Sequence, residues 1–234
     1  MKICLFGLQG VPLGKHNVKD PRLDEVDRLV EAKKKTYVQV DVVGETEAAT
    51  AAVLLVTPDS RPDLLLRDLE FVENRLSRAP ADAERAVLLK LKQALEQDRT
   101  AADAGLTPQD WQALAAHSGL LTAKPIVVAT PDEQAHPDKL ILQAYAASGH
   151  ICFLTVGGKE NRAWMIRQGA TAWEAAGVIH SDIQRSFIRA EVIAYSDLIA
   201  CGGETAAKRA GKQRLEGRSY VMQDCDVVNF RFGK

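Results

Sequence analysis

The sequence predicts an α/β protein in two parts: a mostly parallel sheet with an inserted helical hairpin, and then a small α+β domain. Three observations support this prediction. Short apolar runs alternate with helical patterns up to about residue 150, which is typical of parallel strands buried on both faces. Two long amphipathic stripes interrupt this alternation, and beyond residue 150 strand patterns flank one main helix.

The first part begins with a buried strand. Ile3 to Phe6 form an apolar run that ends at Gly7, and a glycine- and proline-bearing loop continues to Gly14. The run is too short for a membrane span or a signal peptide, so no membrane association is predicted. Further strands are predicted at 36–43, 51–56 and 125–129, and helices at 21–33 and 138–147.

The inserted hairpin is predicted at about residues 61–117. Leucine and valine recur at three- and four-residue spacing in two stretches, 63–78 and 82–98, as expected for two helices that pack against each other. Pro80 marks the turn, and a further short helix is predicted from Thr107 to His117.

The second part is predicted to begin at residue 151, so the expected domains are 1–150 and 151–234. Its main helix is predicted to begin near Thr171. Strands are predicted at 151–156, 162–166, 187–195, 220–222 and 227–232.

Composition and cysteine usage narrow the class of protein. The 234 residues carry a net charge of −1 and are 46% hydrophobic, so nothing global favours nucleic acid or an anionic membrane. The four cysteines form no C-x-x-C pair, and neither a disulfide framework nor a zinc site is predicted. Reduced thiols in a cytoplasmic protein are the expected state.

Two long stretches carry a resemblance to a known family. Residues 162–199 and 202–232, including Arg162-Ala163-Trp164 and Leu215-Glu216-Gly217, are similar to the C-terminal segment of the YchF (Obg-like) P-loop ATPases. The resemblance implies a TGS-like β-grasp fold for residues 151–234. It continues more thinly upstream through Asp20-Pro21-Arg22-Leu23-Asp24, and implies a shortened P-loop-like domain before it.

The phosphate-binding loop that this resemblance implies is altered. A P-loop needs G-x-x-x-x-G-K-[ST], in which backbone amides surround the phosphates and the hydroxyl binds magnesium. Gly10, Gly14 and Lys15 are the candidate phosphate ligands, but neither Gly7 to Gly14 nor Gly10 to Gly14 has the required spacing. His16 stands where the hydroxyl is expected, and imidazole is a poor magnesium ligand.

Two other segments correspond to nucleotide-binding elements. Asp41-Val42-Val43-Gly44 fits the D-x-x-G motif that senses magnesium and the γ-phosphate, or it is only a strand ending in a glycine turn. Thr130-Pro131-Asp132-Glu133 stands where the family carries a base-selecting Asn-x-x-Glu element. A threonine cannot offer the paired donor and acceptor of an asparagine amide.

A cluster of basic residues marks the second part. Residues 151–234 hold 12 Lys and Arg against 9 Asp and Glu. The functional interpretation is contact with RNA or the ribosome, and the alternative is a solvated charged surface. The cluster comprises Lys208, Arg209, Lys212, Arg214 and Arg218.

The sequence therefore favours a non-hydrolysing YchF-like binding or adaptor protein, linked to translation through the TGS-like domain. No catalytic residue, metal or cofactor is expected under this hypothesis. The alternative is a P-loop ATPase or GTPase with an atypical loop, which would bind ATP or GTP with magnesium. A third hypothesis is a structural subunit that binds a protein partner through the helical hairpin.

Overall fold

A computed structural model describes residues 1–114 and 119–233. The chain divides into two compact units. The first comprises Met1–His16 and Val40–Ser148, and the second comprises Asn17–Gln39 and the chain from Gly149 onward. Within the described residues, no helix is long and apolar enough to cross a membrane.

The strands of the described residues fall into two sheets. They are β1 (Lys2–Phe6), β2 (Gly14–Asn17), β3 (Lys35–Thr36), β4 (Gln39–Val43), β5 (Val53–Val56), β6 (Ile126–Val128), β7 (His150–Thr155), β8 (Asn161–Arg167), β9 (Phe187–Ile193), β10 (Arg214–Glu216) and β11 (Asp226–Phe232).

The helices of the described residues cover or connect those sheets. They are α1 (Pro21–Leu29), α2 (Arg61–Leu76), α3 (Asp82–Glu96), α4 (Pro108–Leu114), α5 (Pro131–Gln134), α6 (Pro137–Ala147), α7 (Ala172–Ile179), α8 (Ser181–Arg185), α9 (Tyr195–Cys201) and α10 (Glu204–Arg209). A 3-10 helix spans Glu45–Thr50.

The sheet of the first unit has the order β2-β4-β1-β5-β6. Strand β1 runs parallel to β4 and β5, and β5 runs parallel to β6. Every residue of β5 is buried, as its uninterrupted apolar sequence requires of a central parallel strand. Phe6, Leu54 and Leu64 belong to one buried cluster that joins this sheet to α2.

The helical hairpin packs as the apolar stripes predict. Val72 of α2 and Leu88 and Leu91 of α3 lie fully buried in one cluster. The predicted short helix is α4, which the structure describes as far as Leu114; the expected continuation to His117 lies outside the described residues.

The second unit is built on a six-stranded mixed sheet of order β10-β9-β11-β7-β8-β3. Strand β11 runs parallel to β7 and antiparallel to β9, while β7 and β8 form an antiparallel pair. Phe153, Val192 and Phe230 form a core with the small residues of α7. The predicted class, an α/β protein with a parallel sheet and a second sheet domain, is confirmed; the β-grasp (TGS-like) assignment stays a prediction.

The observed units differ from the expected 1–150 and 151–234 division in one segment. Residues 17–39 pack with the second unit, to which they contribute α1 and the edge strand β3. Leu23 and Val26 of α1 are buried there. An amphipathic pattern shows that a helix has an apolar face, but it does not show which sheet the face covers.

Candidate functional site

The loop that follows β1 leads into a strand. Gly14 and Lys15 open β2, which pairs with β4 at the edge of the first sheet. In a P-loop the corresponding residues open a helix, whose free amides and dipole bind the phosphates. Lys15 is exposed on this edge strand, so the predicted ligands Gly14 and Lys15 lack the helix N-terminus that the chemistry requires.

A carboxylate already binds the first amide of this loop. The backbone N–H of Gly7 donates to Glu45 Oε1 at 3.1 Å. Arg67 holds the same carboxylate through Nη2–Oε2 at 2.7 Å, and its guanidinium lies 4.6 Å from the centre of the Phe6 ring. A phosphate could bind the Gly7 amide only by displacing this carboxylate, which Arg67 holds in place.

Packing explains why Gly7 is a glycine. Its φ of +67° lies in the left-handed region, and an added Cβ would come 1.7 Å from Ser60 Oγ. Ser60 precedes α2 and its hydroxyl accepts a hydrogen bond from Thr57 Oγ1 at 2.7 Å. The glycine therefore allows the loop to pass close to α2, whether or not a ligand binds.

The remaining residues of this segment make contacts within the segment itself. His16 Nε2 lies 2.7 Å from the Pro12 carbonyl, so the ring nitrogen donates to the backbone at the position where a magnesium ligand is expected. Gly10 has a φ of +90° and Gly14 a φ of +113°, backbone conformations that favour glycine in a turn. Both glycines serve the turn between β1 and β2.

Asp41 lies away from the loop that follows β1. Asp41 pairs in register with Lys2 at the start of β1, while the loop leaves from the opposite end of that strand at Gly7. Four strand residues at about 3.3 Å each separate the two levels. Gly44, which follows β4, lies beside Leu13 of the loop. The structure thus brings Gly44 to the loop but leaves Asp41 outside it.

The expected base-selecting element is a helix cap. Glu133 Oε2 accepts hydrogen bonds from the Thr130 backbone N–H at 3.0 Å and from Thr130 Oγ1 at 2.8 Å. Its other oxygen accepts from Gln143 Nε2 at 3.2 Å. These bonds form the capping box of α5, so the carboxylate is already engaged at the helix N-terminus.

The basic cluster of the second unit is exposed but largely paired. Lys208 binds Glu204 at 2.5 Å and Lys212 binds Asp197 at 3.1 Å. Arg214 donates to the Tyr220 hydroxyl at 2.9 Å, and Arg218 reaches the Phe187 carbonyl.

Arg209 differs from its neighbours. Among the described residues it makes neither an ion pair nor a side-chain hydrogen bond, whereas Arg218, also without an ion pair, donates to the Phe187 carbonyl. Arg209 lines a shallow pocket with Leu29 and the turn at Gly202 and Gly203. The cluster therefore offers one guanidinium that is ready for an anionic partner.

Glu45 is the residue that sequence reasoning missed. It directly follows Gly44, at the end of the D-x-x-G pattern, and its partner amide lies 38 residues earlier. An acidic residue at that point was the available signal, since a carboxylate beside a phosphate site opposes anion binding.

Comparisons with known proteins agree with the resemblance seen in the sequence. Residues 150–233 match the model of the family described as YchF-GTPase_C, protein of unknown function (DUF933). The "Ribosome-binding ATPase YchF" of Bacillus subtilis is 34% identical over 235 residues, which cover 73% of this chain and 64% of that protein. The protein of the same name from Haemophilus influenzae is 53% identical over 95 residues, 41% of this chain and 26% of that one.

The fold has a counterpart among solved structures. The Schizosaccharomyces pombe YchF GTPase superposes with a TM-score of 0.75 at 20% identity, covering 98% of this chain and 97% of that chain. This similarity concerns the fold alone. The matched stretch of this chain spans about two thirds of the Bacillus subtilis relative and about a quarter of the Haemophilus influenzae one.

Proposed function

We propose that this chain, a relative of the YchF (Obg-like) ATPases, is a non-hydrolysing binding or adaptor protein. In this chain a strand, β2, follows the first loop. Its partner would be the ribosome or ribosomal RNA, bound in the cytoplasm through the TGS-like second unit. No ATP, GTP or magnesium would act as its cofactor.

The observation that carries the proposal is the state of the first loop. Phosphoryl transfer depends almost entirely on positioning and on magnesium. Here Gly14 and Lys15 lie on an exposed edge strand and Glu45 occupies the Gly7 amide. A nucleotide would have to displace a carboxylate that Arg67 holds in place.

The translation link rests on the relatives and on the basic cluster. Two relatives are named ribosome-binding ATPases, and contacts to phosphate come mostly from Lys and Arg. Arg209 is exposed on α10, and Lys212 and Arg218 are exposed nearby. These side chains can exchange weak surface ion pairs, worth about 0–1 kcal/mol, for contacts with RNA phosphates.

Calorimetric titration with ATP and GTP tests the loss of nucleotide binding. We expect no saturable heat at micromolar ligand, with or without magnesium. Magnesium-dependent binding that Lys15→Ala abolishes would instead establish the alternative, an ATPase or GTPase with an atypical loop. The variant Asp41→Asn would then show whether Asp41 takes part in nucleotide binding.

Co-sedimentation with ribosomes tests the proposed partner. The variant Arg209→Glu with Lys212→Glu is expected to weaken binding and to reduce its salt dependence, by about one unit of log–log slope for each phosphate that the protein no longer neutralises. Reversal of two exposed lysines of the same unit, Lys33→Glu with Lys34→Glu, is the matched control. Equal weakening in both variants would point to net charge rather than to this surface.

The helical hairpin supports the third hypothesis, a structural subunit. Leu66 of α2 and Leu89 of α3 are about half exposed, and apolar side chains of this size at a surface can bind a protein partner. Cross-linking in a lysate tests this hypothesis. It would be favoured over ribosome binding if the chain retrieves one stoichiometric protein, if Leu66→Glu loses that protein, and if Arg209→Glu keeps it.

A further inference from the structure

Two buried cysteines lie side by side in the second unit. The sulfur atoms of Cys152 and Cys225 are 3.4 Å apart, although 73 residues separate them in the sequence. Cys152 is 2% exposed and Cys225 is 1% exposed. Neither residue takes part in the proposed ribosome surface or in the first loop.

The backbones hold the pair at a distance suited to a disulfide. The Cys225 N–H donates to the Cys152 carbonyl at 2.8 Å, so the two residues are direct neighbours across β7 and the turn before β11. Backbones paired in this way lie about 5 Å apart, within the Cα separation that a disulfide spans. The sulfurs need to approach by only about 1.4 Å to reach bonding distance.

The turn around Cys225 adds a second, independent observation. Its φ of +61° places it in the left-handed region, which a residue with a Cβ adopts at an energetic cost and which favours glycine. Costly backbone conformations of this kind concentrate at functional sites. At this position the chain carries a thiol side chain, and the turn points its sulfur at Cys152.

Neighbouring charged side chains hold the backbone around the two cysteines in place. Asp224 Oδ1 accepts from the Cys152 N–H at 3.0 Å, and Asp224 Oδ2 binds Arg22 at 2.7 Å. Arg22 also clamps both oxygens of the buried Asp20. The hydrogen bond to Cys152, with burial next, raises the pKa of Cys225, so Cys225 is held as a thiol at neutral pH.

A metal fits this site less well than a disulfide. Asp20, Cys152 and Cys225 offer one ligand atom each within 4.8 Å of one another. Both oxygens of Asp20, however, accept hydrogen bonds from Arg22, and a guanidinium opposes a second cation at the same place. The remaining two sulfurs can form a covalent bond without any further ligand.

We propose that Cys152 and Cys225 form a reversible dithiol–disulfide pair that locks β7 to the start of β11. The oxidant is a small-molecule disulfide such as oxidised glutathione. When local opening exposes the pair, one cysteine loses its proton and attacks a sulfur of the oxidant, which releases one thiolate. The second cysteine then loses its proton and attacks the mixed disulfide, so the Cys152–Cys225 bond forms and the second thiolate leaves. Two electrons pass to the oxidant.

The oxidised chain is expected to be more stable, because the bond closes a loop of 73 residues in the unfolded state. A loop of that size is expected to raise the unfolding midpoint by roughly 5–15 °C. The effect should be reversed by a thiol reductant. The reduced and oxidised states would thus differ in how readily the second unit opens.

The experiment compares the reduced full chain with the chain incubated in oxidised glutathione, with free thiols alkylated before peptide mass spectrometry. We expect a cross-linked peptide pair containing Cys152 and Cys225, a higher unfolding midpoint, and reversal by dithiothreitol. Cys201→Ser is the matched control and should keep all three. Cys225→Gly suits the left-handed backbone, so it should fold and yet lose the cross-link and the shift.

Three results would overturn the proposal. The first is glutathione attached at Cys201 with no bond between the paired cysteines. The second is a cross-link that forms only in urea. The third is stoichiometric zinc that protects both thiols in the purified chain and that a chelator removes. Each can occur with or without ribosome binding, so failure here is distinct from failure of the proposed function.

Discussion

At the scale of single residues, Glu133 is a carboxylate committed to structure, in the capping box of α5. Its hydrogen bonds from Thr130, backbone first and then side chain, lower the pKa of Glu133 to about 2. A carboxyl group whose pKa is lowered on folding stabilises the folded state above its ordinary value of 4.5. That contribution is lost as the pH falls from 4.5 towards 2, because the unfolded chain then binds the proton more readily.

The variant Glu133→Gln tests this linkage. It keeps a capping side chain but removes the charge, so the acid-dependent loss of stability between about pH 4.5 and 2 should become shallower. Urea unfolding at a series of pH values measures the slope. Asp132→Asn, which removes the adjacent exposed carboxylate, should leave the slope nearer to that of the parent chain. Identical slopes for Glu133→Gln and the parent would contradict the cap.

Asp68 is a second committed carboxylate, buried between α2 and the segment that precedes β6. It is 1% exposed and accepts hydrogen bonds from the backbone N–H groups of Leu121 and Thr122 and from the Thr122 hydroxyl. Burial nevertheless raises the pKa of Asp68. Its contribution to stability is therefore full below its ordinary pKa and decreases as the pH rises through the folded value.

We expect Asp68→Asn to destabilise the first unit by about 2–4 kcal/mol at neutral pH, because the amide N–H₂ would face the donors of Thr122. Chemical denaturation measures the difference. Glu70→Gln on the same helix is exposed and should cost less than about 0.5 kcal/mol. A cost for Asp68→Asn as small as that of the control would show that the three bonds contribute little.

At the level of elements, most of the predicted strands lie inside the two sheets, but β6 lies at a sheet edge and the strand predicted at 220–222 is only an isolated bridge at Val221. β1 and β5 are apolar runs with neighbours on both sides, and such runs are visible in a sequence. The strands that were not predicted separately, β2, β3 and β10, all lie at sheet edges. An edge strand has one neighbour and needs little apolar surface, so a segment such as Gly14-Lys15-His16-Asn17 gives no strand pattern.

The difference between central strands and edge strands also applies to the candidate site. The glycine and lysine spacing predicts an altered phosphate loop, but it does not predict that the following residues form a strand. The Glu45–Gly7 contact joins residues from two loops, and spacing along the chain carries no signal for such a pairing. The spacing therefore bears only on the loop itself, while the carboxylate that binds the Gly7 amide could not be predicted from it.

The hairpin allows a matched test of its predicted core. Leu88 and Leu89 are neighbours on α3, but Leu88 is 0% exposed and Leu89 is 49% exposed. Leu88→Ala should lower the free energy of unfolding by about 2–5 kcal/mol, since it leaves a cavity among packed side chains. Leu89→Ala should change it by less than about 0.5 kcal/mol. Equal losses would mean that the hairpin is not packed on this face.

At the scale of the whole chain, residues 17–39 are the feature that no local pattern predicts. The pattern of α1 shows an apolar face and an N-cap at Asp20, yet its partners come from far along the chain. Arg22 binds Asp224, 202 residues later. Such pairings are set by the tertiary fold, so the sequence alone placed this segment with its chain neighbours in the first domain.

Asn161 ties that segment to the second unit and carries the last prediction. It is 0% exposed, and its amide nitrogen donates to Asp27 Oδ1 at 2.8 Å and to the Val30 carbonyl at 2.7 Å. Its oxygen accepts from the Gly157 N–H at 2.8 Å. Asn161→Ala leaves these groups without their partner, and should cost about 2–4 kcal/mol because unsatisfied buried polar groups are expensive.

The destabilisation should be confined to one unit. Hydrogen exchange of Asn161→Ala is expected to show reduced protection in residues 17–39 and in the turn between β7 and β8, with β5 of the first unit unchanged. Lys34→Ala removes an exposed ion pair with Glu160 at 3.2 Å and should leave both units protected. If β5 loses protection as much as α1 does, the two units unfold together, and the division of stability at residues 17–39 is wrong.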